Sequence, residues 1–469
     1  MSFSPGSVGS SKKYPAQSAS VIFLQVLKIS SKYAVGIVAY HERGAIMKTS
    51  NYFISTRIDD FVLYYNLVND TLLQLPADHN AGCIECLHDP NNTRSIYWSK
   101  LYEDKFIIED DFDEMKEIQR RHWRTVNSTD ALHITAISTL KCNSDCIYCY
   151  QRNLDFTHME MTDEDFDGLY TFLLEVPQRD IHINWYGGEP LLARDKILKF
   201  CAMADRDKRH TYSYSISTNA SVYDDRFFRK MENYGLTNAT VSMVGTGEIH
   251  NALRPSKEYD SDRVIRNIIS MLRHTNVVVN LNLCRNNIES IKEIFEELSG
   301  YRHSSLSFTF SRITSYENRP CTEIELDVDT YMKHVIELAN WALDHQFRVS
   351  DMSCFQNFGV YCGAYAKNNY VVGPGLYLYQ CDRSYDPNDA FAKIDDGTLC
   401  YRENGIGCGN AELCLDPYKV DACRTCRLLP YCNGGCDYLR KIGKRACPPE
   451  KDYLEEFLKL YYRIHYERQ

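Results

Sequence analysis

The chain has 469 residues, 44% of them hydrophobic and 25% charged, with a net charge of −10. That length allows two or three domains with ample core, and the acidic balance argues against a nucleic-acid backbone as partner. No apolar run approaches the ~20 residues that span a bilayer, so no membrane partner is expected either.

Residues 1–20 are rich in Ser and Gly without an apolar core; they read as a disordered lead-in, not a secretory signal. Nineteen cysteines in a chain without such a signal point to metal or cluster binding, and to a cytoplasmic protein. A small mixed α/β, winged-helix-like module is expected over 21–127. It opens with strand-like runs at 21–27 and 33–40, then Phe61–Leu75 and an acidic stretch, Glu109–Glu117. Within it, Tyr64–Leu75 reads as a strand, a turn and the start of a helix. Cys83 and Cys86 read as two ordinary thiols in a loop.

Over 128–346 strands alternate with helices. Strands are expected at Leu132–Ser138, Ile181–Tyr186, Tyr212–Ser217, Ala239–Met243, Val277–Leu283 and Leu306–Ile313. One helix opens with Thr162 and Asp165 as its cap and buries Phe166, Leu169 and Leu173. Further helices are expected at Arg263–His274 and Ser290–Leu298. Such alternation predicts a parallel sheet with right-handed crossovers. Six repeats suit a partial (β/α)6 barrel, with its chemistry at the C-terminal ends of the strands. Over 347–450 periodicity fades and cysteines crowd; 451–469 carries a helix with Leu454, Phe457, Leu458 and Tyr461 on one face. Cys201, Cys284 and Cys321 read as small apolar core residues. None of the 34 tyrosines stands out as a radical relay.

Directly after the first barrel strand comes Cys142-Asn-Ser-Asp-Cys146-Ile-Tyr-Cys149. A four-iron cube has four corners to ligate. Three thiols leave one iron open, and an open iron can bind a small molecule. The CxxxCxxC spacing, with Tyr148 before the last Cys, resembles the signature of the radical S-adenosylmethionine (SAM) enzymes. The resemblance implies that the open iron chelates SAM, whose reductive cleavage gives a 5′-deoxyadenosyl radical that abstracts hydrogen from the substrate. Gly187-Gly188-Glu189-Pro190 follows the second strand, where the family's GGEP holds the SAM amino group. Ser217 and Asn219 end the third strand in a segment similar to the family's TNG. Ser242 and Arg254 fall where polar SAM contacts are expected, and Tyr148 near the adenine. Val244 stands where related peptide modifiers carry Asp, which leaves the proton chemistry open.

Cys423-x2-Cys426-x5-Cys432-x3-Cys436, then Cys447, preceded by Cys362 and Cys381, resembles the SPASM extension of radical SAM peptide-modifying enzymes. It implies two auxiliary 4Fe–4S clusters, hence three in all with SAM. Cys423, Cys426, Cys432 and Cys447 would hold the outer cluster, and Cys362, Cys381 and Cys436 the inner one. Cys354 is the first choice as its fourth ligand, with Cys408, Cys414 or an open iron for a substrate thiolate as alternatives. Gly375 precedes Cys381 by one residue more than the usual pattern, which suggests a bulge. CxxC pairs also build zinc ribbons; a cysteine-rich extension behind a radical SAM-like core fits clusters better.

The resemblance implies an enzyme that acts on a peptide. The first reading is a maturase forming a thioether or carbon–carbon crosslink in a ribosomally made precursor. The N-terminal module favours it, since many such maturases bind the leader there as an added strand. The second is a formylglycine-generating sulfatase maturase. The third is a non-catalytic cluster- or zinc-bearing scaffold. Expected partners are a precursor peptide with its leader and an electron donor such as flavodoxin or ferredoxin.

Overall fold

The computed structural model describes residues 45–151, 157–316, 320–350, 355, 362–383, 385–402 and 416–467. The lead-in, the runs at 21–27 and 33–40, and Cys354, Cys408 and Cys414 lie outside these residues. Near the N-terminus, β1 (Met47–Thr49), β2 (Phe53–Ile58), β3 (Phe61–Asn66), β4 (Thr71–Pro76) and β5 (Ile107–Glu109) make two small sheets. β2, β3 and β4 form an antiparallel meander, and β1 pairs with β5.

The helix expected to begin within Tyr64–Leu75 is instead a strand. Asp70 takes a positive φ of 58° and turns the chain, a conformation Asp tolerates better than most residues. Beyond it Leu73 and Leu75 are buried on alternate positions, the period of a strand. Tyr65 Oη donates to Asp70 Oδ1 (3.1 Å), and Arg121 pairs with the other carboxylate oxygen, which holds the turn. Cys83 and Cys86 are likewise not in a loop. They sit on a helix, Asn80–His88, and are buried in a core with Trp98 and Phe106. The acidic stretch ends β5 and opens a helix, Glu114–Val126, whose Lys116 N–H is capped by the Asp113 side chain.

The central sheet runs β6 (Ala131–Thr139), β7 (Asp180–Gly187), β8 (Thr211–Thr218), β9 (Leu236–Met243), β10 (Asn276–Leu283) and β11 (Leu306–Arg312). These six are parallel and adjacent in chain order, the expected partial barrel. Beyond the open edge at β6 the sheet continues with β12 (Asn369–Val372), parallel to β6. Antiparallel β13 (Tyr377–Tyr379), β14 (Ala392–Asp395) and β15 (Thr398–Tyr401) follow. One ten-stranded sheet therefore joins the barrel to the cysteine-rich zone. The extra residue after Gly375 sits in the β12–β13 turn, where Gly375 and Leu376 have φ of 74° and 60°. The ladder is not bulged: Val371 faces Tyr379 and Val372 faces Leu378 in register.

Along β10, Val277, Val279, Leu281 and Leu283 are fully buried under the helices, while Asn280 and Asn282 point into the barrel. A helix at Asp163–Glu175 covers the outer face, with Phe166, Leu169 and Leu173 buried and the Thr162–Asp165 capping box formed in both directions. The C-terminal helix, Leu454–His465, buries Phe457, Leu458 and Tyr461. Tyr461 packs edge-on to Tyr65 at 5.7 Å, so the chain's end is fastened to the N-terminal meander. Among the described residues no helix is long and apolar enough to cross a membrane.

Candidate active site

At the C-terminal end of β6 the chain leaves the sheet into the Cys142–Cys149 loop. The loop is held from below by the Gly187–Gly188 turn. Gly188 N–H donates to Thr139 O (2.8 Å) and Glu189 N–H to Lys141 O (2.9 Å). A Cβ on Gly187 would lie 2.1 Å from Thr139 O, and one on Gly188 2.3 Å from Lys141 O. Only glycine permits so close a backbone approach. The two glycines thus seat the cysteine loop as well as facing the cavity.

Glu189 is fully buried and points away from that cavity. Its carboxylate accepts from Thr218 Oγ1 (2.7 Å), Asn219 N–H (2.7 Å) and Leu191 N–H (3.0 Å). Burial pushes its pKa up, and these hydrogen bonds oppose the shift. Glu189 is therefore a bracket between the ends of β7 and β8. Pro190 starts the short 3₁₀ turn that follows. Asn219, so placed, donates from Nδ2 to Asn143 Oδ1 (3.0 Å) and Ser144 Oγ (3.1 Å), with Cys142 Sγ at 3.7 Å.

From β9, Ser242 offers its carbonyl to the Arg254 guanidinium. Arg254 is buried beside Tyr148 and Cys146. Asp145 N–H and Ile147 N–H donate to Pro255 O (2.8 Å) and Leu253 O (3.1 Å), so this segment braces the cysteine loop. Val244 is buried in an apolar cluster with Leu253, Cys284 and Ile313. Its position serves packing, with no carboxylate aimed at the cavity.

These residues surround a cavity of about 500 Å3 at the strand ends. Cys142, Cys146, Cys149, Tyr148, Gly187, Gly188, Ser217, Asn219, Ser242 and Arg254 all line it; Glu189 and Pro190 do not. Asn280, Asn282, Ser311, Arg312, Tyr316 and Arg383 also line it, none foreseen from sequence. The Val-Asn-Leu-Asn-Leu pattern of β10 was the available signal. A parallel strand covered on both faces reads as continuous apolar sequence, so polar alternation there marks an open inner face. A second groove, about 630 Å3, runs between 110–115 and Asp421, Arg424 and Thr425. Its lining includes no thiol, whereas the cysteine triad lines the first cavity.

The other expected cysteines fall into two groups. Burial pushes the Cys432 thiol up to about 12, and Cys447, Cys426 and Cys423 push it the same way. Burial pushes Cys381 up to about 12 as well, with Asp382 and Cys362 adding to it, and Cys362 in turn feels Cys436. These are the two sets of four and three drawn from sequence. Gly435, at φ 81°, lets Cys436 N–H reach Ala446 O (2.9 Å), which ties the 432–436 turn to Cys447. All ten described cysteines of the three sets are partly exposed, whereas Cys83, Cys86, Cys201, Cys284 and Cys321 are buried. Crowded, accessible thiols fit an iron–sulfur group that would bind them as thiolates. Among the described residues no three His, Cys, Asp or Glu side chains converge on a single-ion site.

Residues 136–298 match the family described as the radical SAM superfamily. A serine-type anaerobic sulfatase-maturating enzyme of Klebsiella aerogenes is 25% identical over 338 residues, covering 65% of this chain and 80% of that one. The structure titled anSMEcpe with bound AdoMet and Cp18Cys peptide aligns with a TM-score of 0.55 at 19% identity, over 72% of this chain and 97% of that chain. Streptococcus suis SuiB bound to precursor peptide SuiA aligns with a TM-score of 0.50 at 14% identity, over 86% and 98%. At these identities the two structures establish a shared fold.

Proposed function

The chain carries a radical SAM domain, and from that premise we propose that it is a maturase that crosslinks a ribosomally made precursor peptide. Cys142, Cys146 and Cys149 would hold the SAM-binding cluster. Gly187 and Gly188, with Ser217, Asn219, Ser242, Arg254 and Tyr148, would cradle SAM. Cys423, Cys426, Cys432 and Cys447 would hold an outer auxiliary cluster, and Cys362, Cys381 and Cys436, with a fourth ligand such as Cys354, an inner one. When bound, these groups supply a 5′-deoxyadenosyl radical to take a substrate hydrogen atom and acceptors for the one further electron released on bond formation.

The chain's own side chains do the rest. The glycines bring backbone against the ligand, Arg254 supplies a fixed positive charge beside Cys146, and the Glu189–Asn219 bracket sets the loop. The observation that carries the reading is that one cavity unites the cysteine triad with the wall bearing Arg383, two residues beyond Cys381. A peptide seated there would lie between the triad and the inner thiol set. SuiB is described with a precursor peptide, and a likeness to it over 86% of this chain supports a peptide as substrate.

In Cys146→Ala, 5′-deoxyadenosine formation from SAM under reducing conditions is expected to vanish; its retention would refute the triad assignment. A second reading, sulfatase maturation, draws on the Klebsiella aerogenes relative. It predicts a peptide aldehyde that hydrazide reagents trap, where the crosslinking reading predicts none.

A further inference from the structure

Arg383 lines the cavity, and its side chain is one-third exposed. Its guanidinium carbon lies 4.1 Å from the Tyr150 ring centre and 5.4 Å from that of Tyr316. Cation–π contact on two rings fixes the plane of the group without satisfying its N–H donors. Among the described residues its one ion pair is with Asp382, whose Oδ1 lies 3.8 Å from Nε, beyond hydrogen-bond distance. The other Arg and Lys side chains lining the cavity have closer partners: Arg254 the Ser242 carbonyl, Arg312 Glu325 (3.2 Å) and Lys141 Glu160 (3.1 Å). Tyr150 is itself locked by Tyr186 (2.9 Å) and Tyr385 (2.8 Å) through their hydroxyls. Among the described residues lining the cavity there is no Asp or Glu, although the chain as a whole is acidic.

A planar fork stacked on two rings, hydrogen-bonded to no carboxylate among the described residues, has the geometry for bidentate recognition of an incoming carboxylate. We propose that Arg383 is a specificity-determining residue that seats a carboxylate of the substrate peptide, an Asp or Glu beside the modified residue. The proposal rests on the peptide-maturase reading and names the kind of peptide it takes. A carboxylate could also come from SAM, and the test separates the two sources.

Binding is measured without reductant, so no turnover enters. The probes are capped hexapeptides with one Cys flanked by Glu, and the same peptides with Gln. On the wild-type protein loaded with SAM the Glu peptides are expected to bind about tenfold tighter or more, the worth of one charge-assisted hydrogen bond. In Arg383→Gln that preference falls to within about twofold, while SAM affinity stays within the same margin. Equal or undetectable affinity for both peptides on the wild-type protein, a step that needs no variant, overturns the proposal. So does a preference that survives in Arg383→Gln, and so does a tenfold loss of SAM affinity there, which would assign the carboxylate to SAM. Loss of SAM cleavage is read separately, in Cys146→Ala, and bears on the function alone.

Discussion

At the scale of single residues, the most consequential contact is between two backbones. Gly188→Ala would place a methyl group 2.3 Å from Lys141 O and 2.6 Å from Leu140 O, with backbone and no flexible side chain to yield. The cysteine loop must shift, and the reconstituted variant is expected to lose SAM-cleaving activity together with about four irons per chain. Iron analysis beside 5′-deoxyadenosine assay checks this. His250 offers a pH test. It is fully buried, and burial first, then Arg254, lower its pKa to about 4. A histidine depressed in the folded state contributes stability above pH 6.5, its usual pKa, and loses it as pH falls toward 4. The contribution is about 3 kcal/mol at neutral pH. Melting curves of His250→Phe are expected to fall less steeply than wild type between pH 6.5 and 4.5; parallel curves would contradict it. The residues of the Cys142–Cys149 loop and most of those beside it were picked out in sequence by their spacing, and the structure brings them to one cavity. Glu189 was not placed correctly, because its motif marks position and not direction, and its side chain turns inward to Thr218 and Asn219.

At the scale of elements, the helix Asp163–Glu175 joins two zones. Asp165 closes the capping box, and its Oδ2 also accepts from Gly375 N–H (3.1 Å) in the β12–β13 turn. Asp165→Ala removes both, and an expected cost of about 1–2 kcal/mol follows from a lost cap plus one lost charge-assisted bond. Denaturation of the full chain measures it; Thr162→Ala, which removes only the cap, should cost less. The six barrel strands were readable because each carries an apolar period between turn signals, with a helix after it. The β3–β4 hairpin was misread because Leu72, Leu73 and Leu75 fit both a helix start and a strand. The choice was made by Asp70 in its left-handed turn and by Leu73 and Leu75 burying on one face.

At the scale of the molecule, the sheet runs without a break from β11 through β6 into β12 and the cysteine-rich hairpins. The periodicity that fades after residue 346 therefore hides a continuous scaffold. Those strands are three or four residues long, too short to leave a pattern in sequence. Its consequence is that the Cys381 side of the fold stands across one cavity from the Cys142–Cys149 loop. The proposed reading places three iron–sulfur cubes in this fold, and anaerobic reconstitution tests it most directly, with metal content and 5′-deoxyadenosine measured on the same sample. About twelve irons per chain, with reductant-dependent SAM cleavage, is the predicted result. Zinc in place of iron, or a full iron complement without SAM cleavage, would contradict it.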